Sequence, residues 1–206
     1  MKKYELTTET LQFAGRTLHR IKAVKDFDSI KAGEFGGWIE NEKNLSQDDN
    51  AWIYGDAMVF DNAKILGNAE VYGNAEVYGN AKVFGNAEVY GNANVSDDAK
   101  VYGNAEVYDY ANVSDYAKVY GNAAIKGDAK VHDAVDYIVF KNFWSSGRYF
   151  TWTSSNNKWS VGCFYGTGEE LIKKAYADSE KSGREYERVV RYVESILADE
   201  KKEKSD

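Results

Sequence analysis

The sequence predicts a mainly β protein organised around a three-sided parallel β-solenoid. Between residues 53 and 131 an aliphatic side chain returns at every sixth position, and Ala follows most of them four positions later. The aliphatic positions are Ile53, Val59, Ile65, Val71, Val77, Val83, Val89, Val95, Val101, Val107, Val113, Val119, Ile125 and Val131. Between them lies Gly-Asn or an Asp-containing substitute, and these residues tolerate the positive φ of a tight corner. Because six residues hold one short strand and one turn, the repeats must stack to bury a common core.

A second period, of eighteen residues, sorts the outward residues into three faces, so one coil has three sides. On the acidic face, carboxylates and tyrosines recur at Glu70, Tyr72, Glu88, Tyr90, Glu106 and Tyr108. On the basic face, lysines and aromatic residues recur at Lys64, Lys82, Phe84, Lys100, Tyr102, Lys118 and Tyr120. The third or polar face carries Glu76, Asn94, Ser96, Asn112, Ser114, Lys130 and His132.

The solenoid, assigned to residues 46–134, follows an N-terminal β cap formed by residues 1–45. Residues 11–15 and 17–24 are predicted to be two strands joined around Gly15. A cap is expected because a bare solenoid end exposes unpaired strand edges and apolar core.

After Val131 the period fails, and residues 135–206 are predicted to form a small C-terminal α+β domain. Three strands in an antiparallel meander are expected at residues 136–140, 148–153 and 159–164. Two helices follow, and capping boxes predict that they begin at residues 167–170 (TGEE) and 182–185 (SGRE). Cys163, in the last of the strand-like segments, is expected to be a buried structural thiol.

Composition narrows the class of protein and its partners. The 206 residues carry a net charge of −7, which disfavours binding to duplex nucleic acid. The single cysteine excludes an intramolecular disulfide and favours a reducing compartment. No apolar run approaches the length of a membrane span, and the first residues lack the apolar core of a signal peptide. We therefore expect a cytoplasmic protein that does not bind membranes.

The repeat resembles that of the hexapeptide-repeat proteins, in which a small residue stands four positions after each aliphatic one. This resemblance implies a left-handed parallel β-helix. The segments 36–40 (GGWIE), 44–46 (NLS) and 162–167 (GCFYGT) extend the resemblance to hexapeptide-repeat proteins found in phages and prophages. It implies a phage-related origin and a bacterial host, but it supplies no catalytic residues.

Many hexapeptide-repeat proteins are acyltransferases, which use a His as general base between trimer subunits, often beside a protruding loop. This chain contains two histidines, His19 and His132, and its repeats carry no insertion. Because His132 follows the last repeat, it is interpreted as a solvated terminal residue. Two histidines also fall short of the three that hold zinc in carbonic anhydrases of this fold. The sequence therefore predicts a protein that is not an enzyme, with no catalytic residues, metal or cofactor.

The stacked aromatic and charged columns favour a binding role, because they are too extensive for a surface left in water. The lysines and tyrosines of the basic face are candidates for binding phosphates and a base of a small nucleotide-like ligand, at Lys82, Lys100, Tyr102, Lys118 and Tyr120. A second candidate ligand site consists of Arg148 and Trp152. The preferred interpretation is a phage-encoded sponge that sequesters a nucleotide signal of bacterial immunity. A virion or scaffold component and a hexapeptide-repeat acyltransferase are the alternatives.

The opposite charges of two faces predict a homotrimer. The acidic face of one chain would meet the basic face of the next, and contact between different faces closes as a ring or runs on as a filament rather than forming an isologous dimer. The directions of the two faces favour three chains around an axis. The predicted interface residues are Glu70, Tyr72, Phe84, Glu88, Tyr90, Glu106 and Tyr108.

Overall fold

A computed structural model describes residues 2–142, 144 and 146–203, and it confirms the mainly β fold with a parallel solenoid of about five turns. The chain divides into two compact units, residues 1–137 and 138–206. The N-terminal cap belongs to the same unit as the solenoid, because its last strand pairs directly with the first coil.

The cap is an antiparallel hairpin joined to the polar face. Its strands are β1 (Tyr4–Phe13), β2 (Arg16–Ala23) and β3 (Phe35–Ile39). The turn between β1 and β2 places Ala14 and Gly15 at positive φ, as the glycine predicts. Strand β3 is antiparallel to β2 but parallel to the first strand of the polar face, so the hairpin extends that sheet beyond the solenoid.

Each face of the solenoid is a parallel sheet of short strands that lie eighteen residues apart. The acidic face contains β4 (Trp52–Ile53), β7 (Glu70–Val71), β10 (Glu88–Val89), β13 (Glu106–Val107) and β16 (Ala124–Ile125). The polar face contains β5 (Met58–Val59), β8 (Glu76–Val77), β11 (Asn94–Val95), β14 (Asn112–Val113) and β17 (Lys130–Val131). The basic face contains β6 (Lys64–Ile65), β9 (Lys82–Gly85), β12 (Lys100–Gly103) and β15 (Lys118–Val119).

The core consists of the aliphatic residues and alanines of the repeat, which are buried as predicted. Small alanines are needed because the three strands of each coil converge on a narrow interior. At the corners, successive coils must also approach each other closely. At Gly85, whose φ is 76°, an added Cβ would lie 3.0 Å from the backbone nitrogen of Gly103. Glycine therefore serves two purposes at this corner, positive φ and backbone contact between coils.

Aspartates replace glycine at several corners, where they also adopt positive φ. Their carboxylates tie one coil to the next. The backbone N–H of Gly79 donates to Oδ2 of Asp61 at 3.3 Å, and that of Asp115 donates to Oδ2 of Asp97 at 3.4 Å. In each case the donor lies eighteen residues after the aspartate.

The second unit is an antiparallel sheet covered by two helices. The sheet order is β18 (Tyr137–Lys141), β19 (Tyr149–Thr153), β20 (Lys158–Val161) and β21 (Phe164–Gly166). The helices are α1 (Gly168–Asp178) and α2 (Glu180–Glu203), and their apolar sides pack on Phe150, Trp152 and Trp159. In the described part of the chain, neither helix has the length and apolar character needed to cross a bilayer.

Three details of this unit differ from the sequence predictions. The last predicted strand is divided by a turn, which makes a fourth strand and leaves Cys163 exposed rather than buried. The capping box at Thr167 and Glu170 is confirmed. That at Ser182 is wrong, because α2 begins earlier and Ser179 Oγ accepts the backbone N–H of Ser182 at 3.1 Å.

Candidate functional site

A groove of about 600 Å³ runs along the corner between the polar and basic faces. Its lining includes three lysines that the sequence predicted as ligand-binding residues, Lys82, Lys100 and Lys118. Asp98 and Tyr116 come from the corner itself, and Asp133 lies after the last strand of the polar face. The stacking of coils therefore collects side chains that are far apart in the sequence.

The lysines form a column in strict register. Lys64 pairs with Lys82, Lys82 with Lys100, and Lys100 with Lys118 on neighbouring parallel strands, which are about 4.8 Å apart. None of the four lysines forms an ion pair with a carboxylate in the described part of the chain. Like charges directly opposite each other repel. The column is therefore a positive surface without ion pairs that favours a bound anion, in a groove that also contains the carboxylates of Asp98 and Asp133.

The aromatic residue at the groove is Tyr116, which the sequence analysis did not select. Its side chain is 76% exposed and stands at a corner position that other coils fill with Asn or Asp. The predicted residues Tyr102 and Tyr120 are not among the side chains that line the groove. They stack on each other and on Phe84 along the basic face, with ring centroids 5.3 and 4.9 Å apart.

His132 lies immediately before groove residue Asp133, at the end of the polar face. Its Nδ1 is 2.8 Å from Ser114 Oγ and 3.0 Å from Asp115 Oδ2. A carboxylate only accepts hydrogen bonds, whereas a hydroxyl can donate or accept, so a hydrogen bond from the ring to Asp115 requires the Nδ1–H tautomer of His132. The other ring nitrogen, Nε2, is then the basic one.

The eighteen-residue period explains why these groups meet. Ser114 and His132 occupy equivalent positions in successive coils, each directly after the aliphatic residue of the polar face. The signal was therefore present in the sequence. His132 is exposed at the end of the last coil, as its interpretation as a solvated terminal residue predicts, and its ring also contacts side chains of the preceding coil.

The residues of the predicted interface on the acidic face form a ladder within one chain. The hydroxyl of Tyr72 donates to Glu88 at 2.7 Å, and that of Tyr90 donates to Glu106 at 3.2 Å. The tyrosine rings stack along the solenoid, with centroids 4.7 Å apart for Tyr72 and Tyr90 and 4.6 Å apart for Tyr90 and Tyr108. Glu70 accepts from Tyr54 in the same way. The homotrimer itself stays a prediction.

This ladder gives the protein an expected sensitivity to alkaline pH. Burial, followed by the charge of Glu70, raises the pKa of Tyr54 from 10.0 to about 12. Burial also raises the pKa of Tyr72 and of Tyr90, with additional contributions from Glu88 and Glu106. A pKa raised in the folded state stabilises the protein fully below the unfolded pKa of about 10. That stabilisation is lost as the pH rises through the folded pKa, so we expect the melting temperature to fall above about pH 10.

The double variant Tyr72→Phe, Tyr90→Phe retains the stacked rings but removes the two hydroxyls. Its melting temperature should fall less steeply with alkaline pH than that of the parent, and spectrophotometric titration should show the loss of late-titrating tyrosines. Tyr110→Phe, at an exposed corner, is the control and should leave the steepness unchanged. Equal pH profiles for parent and double variant would contradict the assignment.

The second predicted ligand site lies in the second unit. Trp152 is 3% exposed and packs in the core of that unit, where its Nε1–H donates to Asn157 Oδ1 at 2.9 Å. Arg148 is exposed and lies immediately before β19, the strand that contains Trp152. The indole face of Trp152 is therefore covered by the core and does not form a stacking surface beside Arg148.

Comparison with known proteins finds a similarity over part of the chain to a protein whose name differs from the function preferred on sequence alone. No family model matches the chain. Over 74 residues it is 38% identical to a protein named uncharacterized acetyltransferase YdcK from Escherichia coli strain K12. The match covers 32% of this chain and 23% of that relative, so most of the relative lies outside it. With the solenoid, this similarity supports a β-helix repeat protein of the hexapeptide type.

The prediction that the protein is not an enzyme is contradicted by this similarity to a named acetyltransferase. That prediction rested on the missing insertion in the repeats and on the two histidines, of which His132 was interpreted as a solvated terminal residue. In the structure Ser114 and Asp115 hold its ring. The comparison lends no support to the sponge interpretation or to a phage origin.

Proposed function

We propose that the protein is an acyltransferase that moves an acetyl group from a coenzyme A thioester to an amine or hydroxyl acceptor. The observation that carries the proposal is a histidine whose Nδ1 lies 3.0 Å from a carboxylate, one residue before Asp133 of the lysine-lined groove. The name of the similar protein from Escherichia coli supplies the reaction class.

His132 is assigned as the general base. As the acceptor attacks the thioester carbonyl carbon, Nε2 takes the proton from its amine or hydroxyl group. The new C–N or C–O bond forms, the C–S bond breaks, and the departing thiolate receives that proton from the imidazolium. The carboxylate of Asp115 stabilises the positive charge that the ring carries between these two proton transfers.

The lysine column is assigned to the anionic part of the donor. Coenzyme A carries several phosphate groups, and Lys82, Lys100 and Lys118 supply three ammonium groups along one groove. The exposed ring of Tyr116 lies in the same groove and offers a stacking surface for the adenine. In this proposal, the nucleotide-like ligand predicted from the sequence is the nucleotide portion of the acyl donor.

The proposal is tested by following release of the coenzyme A thiol from acetyl-coenzyme A with a panel of amine and hydroxyl acceptors. We expect His132→Ala to lower kcat by about 10²–10⁴-fold, the usual contribution of a general base. His19→Ala is the matched control because His19 lies in the cap, on strand β2. Turnover that survives unchanged in His132→Ala, or a parent protein that releases no thiol with any acceptor, would refute the proposed function.

A further inference from the structure

The corner aspartates of the solenoid follow a rule that fails at one place. At four positions a corner Asp accepts the backbone N–H of the residue eighteen positions later: Asp49 from Gly67, Asp61 from Gly79, Asp97 from Asp115, and Asp109 from Gly127. The donor–acceptor distances are 2.6, 3.3, 3.4 and 3.3 Å. By the same rule, Asp115 would accept the N–H of Asp133.

At the last coil this hydrogen bond is replaced. The N–H of Asp133 donates instead to Oδ2 of Asp136 at 3.0 Å, and the N–H of His132 donates to the same oxygen at 2.7 Å. Asp136 ends a short 3₁₀ helix, Ala134–Asp136, and closes its capping box. The carboxylate of Asp115, released from the backbone, lies 3.0 Å from Nδ1 of His132.

We propose that Asp136 is a positioning residue for His132, an inference that rests on the proposed function. By taking two backbone N–H groups at the end of the solenoid, Asp136 leaves Asp115 available to the imidazole. Asp115 then fixes the proton on Nδ1 and leaves Nε2 to act as base. The bond from the His132 N–H also fixes the backbone from which the ring projects.

The adjacent coil shows what happens where no such replacement exists. Asp97 occupies the position equivalent to Asp115, and its Oδ2 accepts both the N–H of Asp115 and the hydroxyl of Ser96. The residue above Ser96 in that column is Ser114, so the carboxylate faces no titratable ring there. Ser114 Oγ donates to Asp115 Oδ2 at 3.3 Å, as Ser96 Oγ does to Asp97. The arrangement at His132 therefore differs from the adjacent coil in two local features, a histidine in the column and a second acceptor, Asp136, for the backbone N–H groups.

The test measures the tautomer of His132 directly, by nitrogen chemical shifts of isotope-labelled histidine in the whole protein. The chain has two histidines, so His19→Gln assigns the signals. In the parent we expect the Nδ1–H tautomer. In Asp136→Ala, Asp115 should turn to the N–H of Asp133, and the Nδ1–H population should fall. In Asp136→Asn, the side-chain oxygen still accepts from the backbone, so the parent tautomer should be retained.

Asp109→Ala is the matched control, since it removes a corner aspartate whose backbone partner, Gly127, lies at a different corner from Asp115 and His132. It should lower the melting temperature but leave the tautomer unchanged. If Asp136→Ala keeps the Nδ1–H form at parental levels while folded by circular dichroism, the proposal is refuted. If Asp136→Ala does not fold, Asp136→Asn decides, because loss of the Nδ1–H form in that folded variant also refutes it.

The tautomer readout is independent of turnover. If Asp136→Ala shows the expected change of tautomer but the parent protein releases no thiol, the acyltransferase proposal is refuted. The role of Asp136 in fixing the tautomer of His132 then stands. Where turnover is measurable, Asp136→Ala should lower kcat by less than His132→Ala does, with KM for the donor unchanged.

Discussion

Replacing Val89 with Asp is expected to unfold the solenoid. Val89 is 0% exposed and pairs with Val71 and Val107 on the neighbouring strands. Its surroundings are aliphatic side chains and alanines, so the new carboxylate would find no counter-charge. Burying an unpaired charge costs several kcal/mol, whereas the total stability of a domain is about 5–15 kcal/mol. The cooperative thermal transition seen by circular dichroism should be lost or shifted far below that of the parent.

Glu88→Asp is the control variant. It introduces the same side chain on the same strand, but residue 88 is half-buried on the outer surface. It should melt much closer to the parent than Val89→Asp does, with a small loss because the shorter carboxylate no longer reaches the Tyr72 hydroxyl. A Val89→Asp protein with the parental melting curve would show that the residue does not face the core. Val89→Ala, which leaves a cavity without a charge, should lie between the two.

The solenoid could be predicted because its period repeats the same physical constraint in every coil. Val89 and Ala87 are inward for the same reason as their equivalents in the other coils, and each repeat adds independent support. The chemistry of the faces follows from the same eighteen-residue spacing. It correctly brought Lys82, Lys100 and Lys118 into one column, and they line one groove.

The candidate catalytic site could be predicted only in part, because it depends on a departure from the period. The spacing places His132 above Ser114, but it cannot show that Asp136 takes the backbone donor that Asp115 would otherwise bind. Asp115 and Asp136 both carry a carboxylate acceptor, so only their positions decide which of them accepts the backbone N–H of Asp133. The start of α2 at Glu180 and the exposure of Cys163 were missed for the same reason, since both depend on local turns.

Reversing the charge of the lysine column is expected to abolish donor binding. The triple variant Lys82→Glu, Lys100→Glu, Lys118→Glu replaces three ammonium groups in the groove with carboxylates. At roughly 0.5 kcal/mol for each of about six units of charge, affinity for coenzyme A should fall on the order of 100-fold. Isothermal titration calorimetry of coenzyme A against parent and variant measures this change. The parental affinity should itself weaken with added salt, since the groove is open to solvent.

Lys64→Glu is the control for that experiment, because Lys64 belongs to the same column but is not among the residues that line the groove. It should retain most of the parental affinity, while equal affinity in parent and triple variant would show that the lysines do not belong to the donor site.

Light scattering of the same proteins distinguishes two roles of the basic face, ligand binding and trimer assembly. A triple variant that keeps the parental mass but loses coenzyme A assigns the lysines to the ligand. If instead the parent is a trimer and the triple variant a monomer, the column also serves assembly. Reversing Glu70, Glu88 and Glu106 to Lys as well should then restore the trimer without restoring donor binding, because the groove would remain acidic.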